Sequence, residues 1–358
     1  MTAYKCDIYN FRSIPKGIKH LTLVRRYHQP RVKIDLRKIP KSVKSLNISG
    51  CGDSWTESEF PEWVTTLTLK NFRGRQLPKL PPKLRWLSVR KSGIVELTGI
   101  PPTLRHLGLR DCYVLGHISE LPEVMDYVRI SNCSLLFSEI KLPRLRLGHL
   151  DITYQHYRRW VRVYPAEMGV CVLRDYTDDI PRSNWSASCT QGDSTQPLRI
   201  TDYLSIRGAQ SPRTKYAYRG SDFIDSMSFE NLRFRNVKVW TLPPGLKSLQ
   251  ASECCLIADC PDTLQSLTVE NACLPHLPRM NDNLESLTLR NLPKLLSYTG
   301  IPDNLKHIEI NDVPLPTDFP RLHHLCQVAI DRVVSTTTYM SGAQYLDAPP
   351  PEPNPALS

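Results

Sequence analysis

The stretch Leu80-Pro81-Pro82-Lys83-Leu84-Arg85-Trp86-Leu87-Ser88-Val89 recurs twenty residues later as Ile100-Pro101-Pro102-Thr103-Leu104-Arg105-His106-Leu107-Gly108-Leu109. Each copy has an apolar-Pro pair, an apolar residue three after that Pro, and apolar residues three and five further on. A unit of about twenty residues cannot bury its own apolar face and must stack on its neighbours, which makes the chain a repeat solenoid. The first residue of the closing apolar pair falls at Leu21, Leu46, Leu67, Leu87, Leu107, Val128, Leu150, Cys171, Leu204, Met227, Leu249, Leu267, Leu287, Ile308 and Val328. That places fifteen units, and only the step of 33 residues from Cys171 to Leu204 departs far from the period. In the Leu150 and Val328 units extra residues follow the Pro, and at Leu204 and Met227 the Pro is displaced or missing. The unit beginning at Met280-Asn281 also lacks its Pro.

Leu104-Arg105-His106-Leu107-Gly108-Leu109-Arg110-Asp111-Cys112 and Met125-Asp126-Tyr127-Val128-Arg129-Ile130-Ser131-Asn132-Cys133 follow the spacing Leu-x-x-Leu-x-Leu-x-x-Asn/Cys. In this the chain resembles the leucine-rich repeat family, whose units each carry a short strand. The Leu-Pro opening and short unit look like the class found in bacterial effector proteins. The resemblance covers residues 12 to about 330 and implies a fold, not an activity. Some effectors with similar repeats carry a ubiquitin-ligase domain with a cysteine nucleophile after them. About 27 residues follow the last unit here and none is Cys, so that part of the resemblance is not expected to carry over.

The residues lead to the same architecture without the family. Alternation in Leu21-Thr22-Leu23 and Leu287-Thr288-Leu289 turns two side chains inward and one outward, as in a half-buried strand. Stacked units then build a curved solenoid with one long parallel β-sheet on its concave face. Prolines in return segments such as Leu77-Pro78-Lys79-Leu80-Pro81-Pro82 remove N–H donors and fix φ. The convex segments are therefore expected to be extended and Pro-rich, not helical.

A solenoid lengthens by adding units, so 358 residues fit one elongated domain. Residues 1–11 are expected to cap the array, residues 12–331 to form it, and the polar stretch near 176–197 to leave it as a loop. Residues 332–358, ending Ala348-Pro349-Pro350-Pro351-Glu352-Pro353, read as a disordered tail. No run of about eighteen apolar residues is present, and Met1-Thr2-Ala3-Tyr4-Lys5-Cys6-Asp7 lacks a signal-peptide core, so no membrane insertion is expected. Cys51, Cys112, Cys133 and Cys254 each stand three residues after the second member of a strand pair, the Asn/Cys position of the repeat, and Cys171 fills an inward site. These read as a ladder of small buried thiols in a reduced, intracellular protein, cytoplasmic or nuclear. No CxxC pair or flanking His set suggests zinc, and no metal or cofactor is expected.

Charge is distributed unevenly. Residues 1–150 hold 26 Lys plus Arg against 12 Asp plus Glu, a net of +14, whereas residues 241–358 hold 7 against 13, a net of −6. In the strand column before the inward pair stand Trp86, His106, Tyr127 and His149, and in the column after it Lys70, Arg90 and Arg110, with Arg129 in the column between. Aromatic and Arg side chains on one exposed face are the material of binding hot spots. No Gly-rich phosphate loop, HExxH or GxSxG points to catalysis, and no catalytic residue is assigned. The reading is a non-enzymatic scaffold whose concave face binds a protein partner of acidic character through Lys70, Trp86, Arg90, His106, Arg110, Tyr127, Arg129 and His149. The alternatives are nucleic-acid or phosphate binding through the basic N-terminal repeats and substrate recognition within a ubiquitin-ligase complex.

Overall fold

In the computed structural model the described residues are 3–7, 14–25, 35–50, 59–133, 140–153, 161–163, 165, 167–176, 198–208, 217–218, 227–228, 230–314 and 327–331. Cys51, the polar stretch 177–197 and the tail 332–358 lie outside them. The chain divides into two compact units, one comprising 1–176 with 181–202 and the other 177–180 with 203–358.

In the first unit the strands Ala3–Asp7, His20–Val24, Ser45–Ser49, Thr66–Lys70, Trp86–Arg90, His106–Arg110, Val124–Ser131, Arg146–Thr153 and Glu167–Tyr176 lie parallel, each paired with the next in chain order. Ala3–Asp7, in the segment expected to act as a cap, is thus a strand in register with the first repeat. Register stacks each inward residue on its counterpart, so Leu21, Leu46, Leu67, Leu87, Leu107, Val128 and Leu150 form one buried column and Leu23, Ile48, Leu69, Val89, Leu109, Ile130 and Ile152 a second. None of these is more than 2% exposed, and each contributes roughly 1.5–3 kcal/mol by burial.

The second unit repeats the pattern through the later part of Leu198–Gly208, then Asn231–Arg235, Ser248–Ser252, Ser266–Glu270, Ser286–Arg290, His307–Asn311 and Gln327–Asp331. One placement is corrected here. The register runs Leu204 to Leu232 to Leu249, so the rung expected at Met227 sits at Leu232, and Met227–Ser228 is a separate short strand. The Pro that marks other units is missing there, and Leu232-Arg233-Phe234 carries the stronger alternation. Phe234 packs in register with Ala251, a large residue beside a small one.

The Leu-Pro motif has a specific job. The carbonyls of Pro40, Pro61, Pro81, Pro101 and Pro261 accept from the amides of Val43, Val64, Leu84, Leu104 and Leu264 at 3.0–3.1 Å, closing a four-residue turn that delivers the chain to the next strand. The apolar residue three after the Pro is the one whose amide closes that turn. Asn281, standing where a Pro would, keeps the turn with Leu284 at 3.3 Å and reinforces it by accepting from the Asn283 amide at 2.8 Å, an Asx substitute for proline's preset φ. Thr103 and Thr263 donate to the carbonyls of the preceding turn, at 2.8 Å to Leu84 and 2.8 Å to Leu246. Helix among the described residues is confined to the 3-10 turn Leu36–Lys38, as prolines in the return segments require. One parallel strand per short unit with extended returns is a solenoid of the leucine-rich-repeat type.

Immediately after the strands the backbone turns left-handed, at Asn71, Lys91, Asp111 and Asn132 in the first unit and at Asn236, Glu253, Asn271, Asn291 and Asp312 in the second, with φ between 50° and 55°. Asn and Asp tolerate this region, and Asn132 donates to Asp111, and Asn291 to Asn271, both at 2.8 Å.

Candidate functional site

Strand register assembles the candidate residues without further adjustment. Trp86, Ser88 and Arg90 alternate with the inward Leu87 and Val89 and so share the outward face, on which Trp86 and Arg90 are exposed and the short Ser88 is buried. Trp86 pairs in register with His106, His106 with Tyr127, and Tyr127 with His149, which makes one row across four strands. Lys70 pairs with Arg90 and Arg90 with Arg110, a second row across three. The two rows run side by side on the face.

The aromatic row is stacked. Trp86 and His106 have ring centroids 4.6 Å apart with planes 28° from parallel, and Tyr127 lies 4.8 Å from His149 at 30°. His106 also approaches Asp126, with Nε2 3.6 Å from a carboxylate oxygen. Trp86 remains 43% exposed, so one large ring face is open beside the cations. Burial, followed by the negative charge of Asp151, raises the Tyr127 phenol above its ordinary value, which keeps it a neutral hydroxyl.

Arg129 lies against an acid of the next strand. Its rung partner in the middle column is Asp151, whose side chain is 3% exposed and lies 3.6 Å from the Arg129 Nε. On the other side Asp151 accepts from the Arg174 Nε and, at 2.7 Å, from an Arg174 Nη. Asp151 is thus hydrogen-bonded by Arg174 and lies at ion-pair distance from Arg129, so part of the charge of Arg129 is spent inside the fold. Asp151, Thr153 and Val172 are all buried although their register places them on the outward face, so beyond Arg129 the middle column of that face is closed, while His149 in the aromatic row stays half-exposed.

The remaining cations are in a different condition. Lys19, Lys44, Arg85, Lys70 and Arg90 are exposed, and none has an ion pair among the described residues. The first three form the edge row leading into the strands, linked by backbone bonds from Lys44 to Lys19 and from Arg85 to Thr65. Arg110 reaches only its neighbour Asp111, at 3.5 Å. In the second unit the equivalent rows are self-neutralised: Lys247 pairs with Glu230 at 2.8 Å, Lys306 with Glu285 at 2.7 Å, Arg235 with Glu253 at 2.8 Å, and Arg290 bridges Glu270 and Glu309 at 3.0 and 2.8 Å. The sequence count of charges pointed to the basic half, but only the register separates compensated from uncompensated cations.

The cysteines divide by position. Cys112, Cys133 and Cys254 are buried free thiols that donate to strand-end carbonyls, Arg110 at 3.5 Å, Ser131 at 3.5 Å and Ser252 at 3.3 Å. Burial pushes Cys254 up to about 12, and Cys133 is raised first by its hydrogen bond with Cys112 and then by burial. Among the described residues no group of three or more His, Cys, Asp or Glu side chains is arranged to hold a metal ion, and no helix is long and apolar enough to cross a membrane.

No protein-family model matches the chain, and no curated protein matches it. Among solved structures it is similar to YopM from Yersinia enterocolitica WA-314, at 16% identity over 93% of this chain and 85% of that one, with a TM-score of 0.29. A TM-score that low transfers neither a site nor a partner.

Proposed function

We propose that the chain is a non-enzymatic interaction scaffold and that the outward face of its first unit, from Lys70 to His149, binds an acidic protein partner. The observation that carries this reading is a cation row in which Lys70 and Arg90 have no ion pair among the described residues and Arg110 only its neighbour Asp111, at 3.5 Å, across one column from an exposed, pre-stacked indole. Three outward Lys or Arg side chains on consecutive rungs repel one another unless an anion sits over them, and of the three only Arg110 has an ion pair among the described residues, with Asp111, whereas the second-unit rows are balanced by cross-rung pairs. A partner carboxylate would gain charge-assisted contacts with Arg90 and Arg110, steering by the basic edge row would raise the association rate, and Trp86 would supply contact area at little entropic cost because His106 already holds it.

The test is capture from cell lysate by the tagged chain and by the Trp86→Ala/Arg90→Ala/Arg110→Ala variant, each with and without nuclease. Retained protein that survives nuclease and is lost with the variant supports the reading. Material that disappears with nuclease moves it to nucleic-acid binding through the same cations, which would also lose affinity steeply with added salt.

A further inference from the structure

The geometry points to an α-helix with a row of carboxylates as the partner element that this face receives, an inference that rests on the acidic-protein reading and sharpens it. Between the aromatic row and the cation row runs a third column, Thr68, Ser88 and Gly108, in register on the Thr66–Lys70, Trp86–Arg90 and His106–Arg110 strands. These small residues make a floor, half-exposed at Thr68 and Gly108 and buried at Ser88, with Trp86 and His106 along one side and Lys70, Arg90 and Arg110 along the other. The bareness of the floor is not a packing requirement: a Cβ built on Gly108 would meet nothing nearer than the Ser88 Oγ at 3.7 Å. On the next rung the same column carries Arg129, fixed to Asp151, and the floor ends there.

The dimensions select the occupant. Four residues along a strand separate the Cα atoms of the two sides by about 13 Å, and an α-helix with its side chains is about 10–12 Å across. Along the trough the cations recur at the rung spacing, about 4.8 Å. Helical residues at i, i+4 and i+7 advance about 6 and 10.5 Å along the axis, close to the roughly 10 Å from Lys70 to Arg110. Same-face residues of an extended peptide advance about 6.8 Å per pair and fall out of step by the third. Nor is strand addition open to an extended peptide here, because the Thr66–Lys70, Trp86–Arg90 and His106–Arg110 strands are all paired on both sides. A helix seated in the trough would set its carboxylates against Lys70, Arg90 and Arg110 and an adjoining apolar stripe against Trp86.

The experiment uses the full chain and two labelled Ala-based peptides of one composition, read by fluorescence anisotropy. One carries Glu at i, i+4 and i+7 with Leu on the adjoining stripe. The other redistributes the same Glu residues around the helix. The first is expected to bind at least tenfold more tightly than the second, and to lose at least tenfold on Gly108→Leu, which fills the floor without changing charge, with thermal unfolding measured alongside to show that the variant folds. A Ser88→Leu variant, raising the same floor on the neighbouring rung, is expected to behave alike. Equal binding of the two peptides, binding of neither, or indifference to both floor variants overturns the helix inference. The acidic-protein reading falls separately, only if lysate capture also survives loss of Trp86, Arg90 and Arg110.

Discussion

The indole of Trp86 and the imidazole of His106 are twenty residues apart in sequence and stack at 4.6 Å because the parallel register sets their strands side by side. The stack holds in place a ring that is 43% exposed, so its loss should be felt by a partner more than by the fold. Trp86→Ala is expected to weaken partner binding by about 2 kcal/mol or more, roughly 30-fold, while unfolding free energy in urea falls by about 0.5–1.5 kcal/mol, the stacking with His106. A double-mutant cycle with His106→Ala should return a stacking energy of about 0.5–1.5 kcal/mol.

Asp151 carries the opposite weighting. Its carboxylate is buried between Arg129 and Arg174, and removing it leaves two guanidiniums facing each other without an acid. Asp151→Ala should destabilise the first unit by about 3 kcal/mol, at the lower end for a buried pair because both Arg side chains reach solvent. Equilibrium urea denaturation measures it. Asp151→Asn should recover only part of the loss, since it restores shape and not charge.

Lys91 occupies a left-handed backbone position, φ 50°, that the neighbouring units give to Asn71 and Asp111. Lys91→Asn is expected to stabilise the protein by about 0.5–1 kcal/mol, because the short amide of Asn can hydrogen-bond locally in that conformation, as Asn132 and Asn291 do with their neighbours in the same column. Asn271→Ala should do the reverse, by about 1 kcal/mol, and in addition strip the acceptor that Asn291 uses at 2.8 Å. Thermal unfolding of the two variants reads both signs.

Thiol reactivity should follow burial. Cys254 and Cys260 are pushed up to about 12 by burial, so at pH 8 they are almost wholly protonated, whereas Cys255 and Cys273 are exposed. Alkylation at pH 8 followed by peptide mass spectrometry is expected to label Cys255 and Cys273 readily, the half-buried Cys260 slowly, and to spare the buried Cys254 until the chain unfolds. The sign of the linked stability change follows. The unfolded thiols ionise near 8.5 and the folded ones near 12, so the unfolded state binds fewer protons between those values and stability falls as pH rises through that window.

The fold was legible because its signal is repeated. Any single Leu-x-Leu alternation is ambiguous between a strand and part of a buried helix, but the same spacing at Leu67, Leu87, Leu107, Leu267 and Leu287 leaves one period that every unit can share. The step at Met227 failed for the complementary reason: without its Pro, the only cue was a weak alternation, and the competing pair Leu232 and Phe234 lay five residues on. The left-handed column was visible in principle, since Gly50, Asn71, Asp111, Asn132, Asn236, Asn271 and Asn291 all recur two residues after a strand pair. Lys91 and Glu253 interrupt the residue type while the backbone keeps the conformation.

For the candidate site, the sequence was enough to place Trp86, His106, Tyr127 and His149 in one column, because period and alternation determine which side chains share a face. It was not enough to tell a committed charge from an available one. Arg129 looks like Arg90 in a string of residues, yet it is tied to Asp151 while Arg90 is not, and Arg290 is bridged by Glu270 and Glu309 from the rungs on either side. That distinction depends on pairs about twenty residues apart, which composition over a window averages away.

It is also the distinction on which the account stands, and one measurement addresses it directly. Capture from a single nuclease-treated lysate is compared for the native chain, for Lys70→Ala/Arg90→Ala, and for Lys247→Ala/Arg290→Ala, with retained proteins quantified by mass spectrometry. The last two variants have the same net charge and differ in whether the lost cations were already paired. The Lys70/Arg90 variant is expected to lose its bound partner tenfold or more while the Lys247/Arg290 variant keeps it. Equal losses in both, or full retention by the Lys70/Arg90 variant, would contradict that expectation.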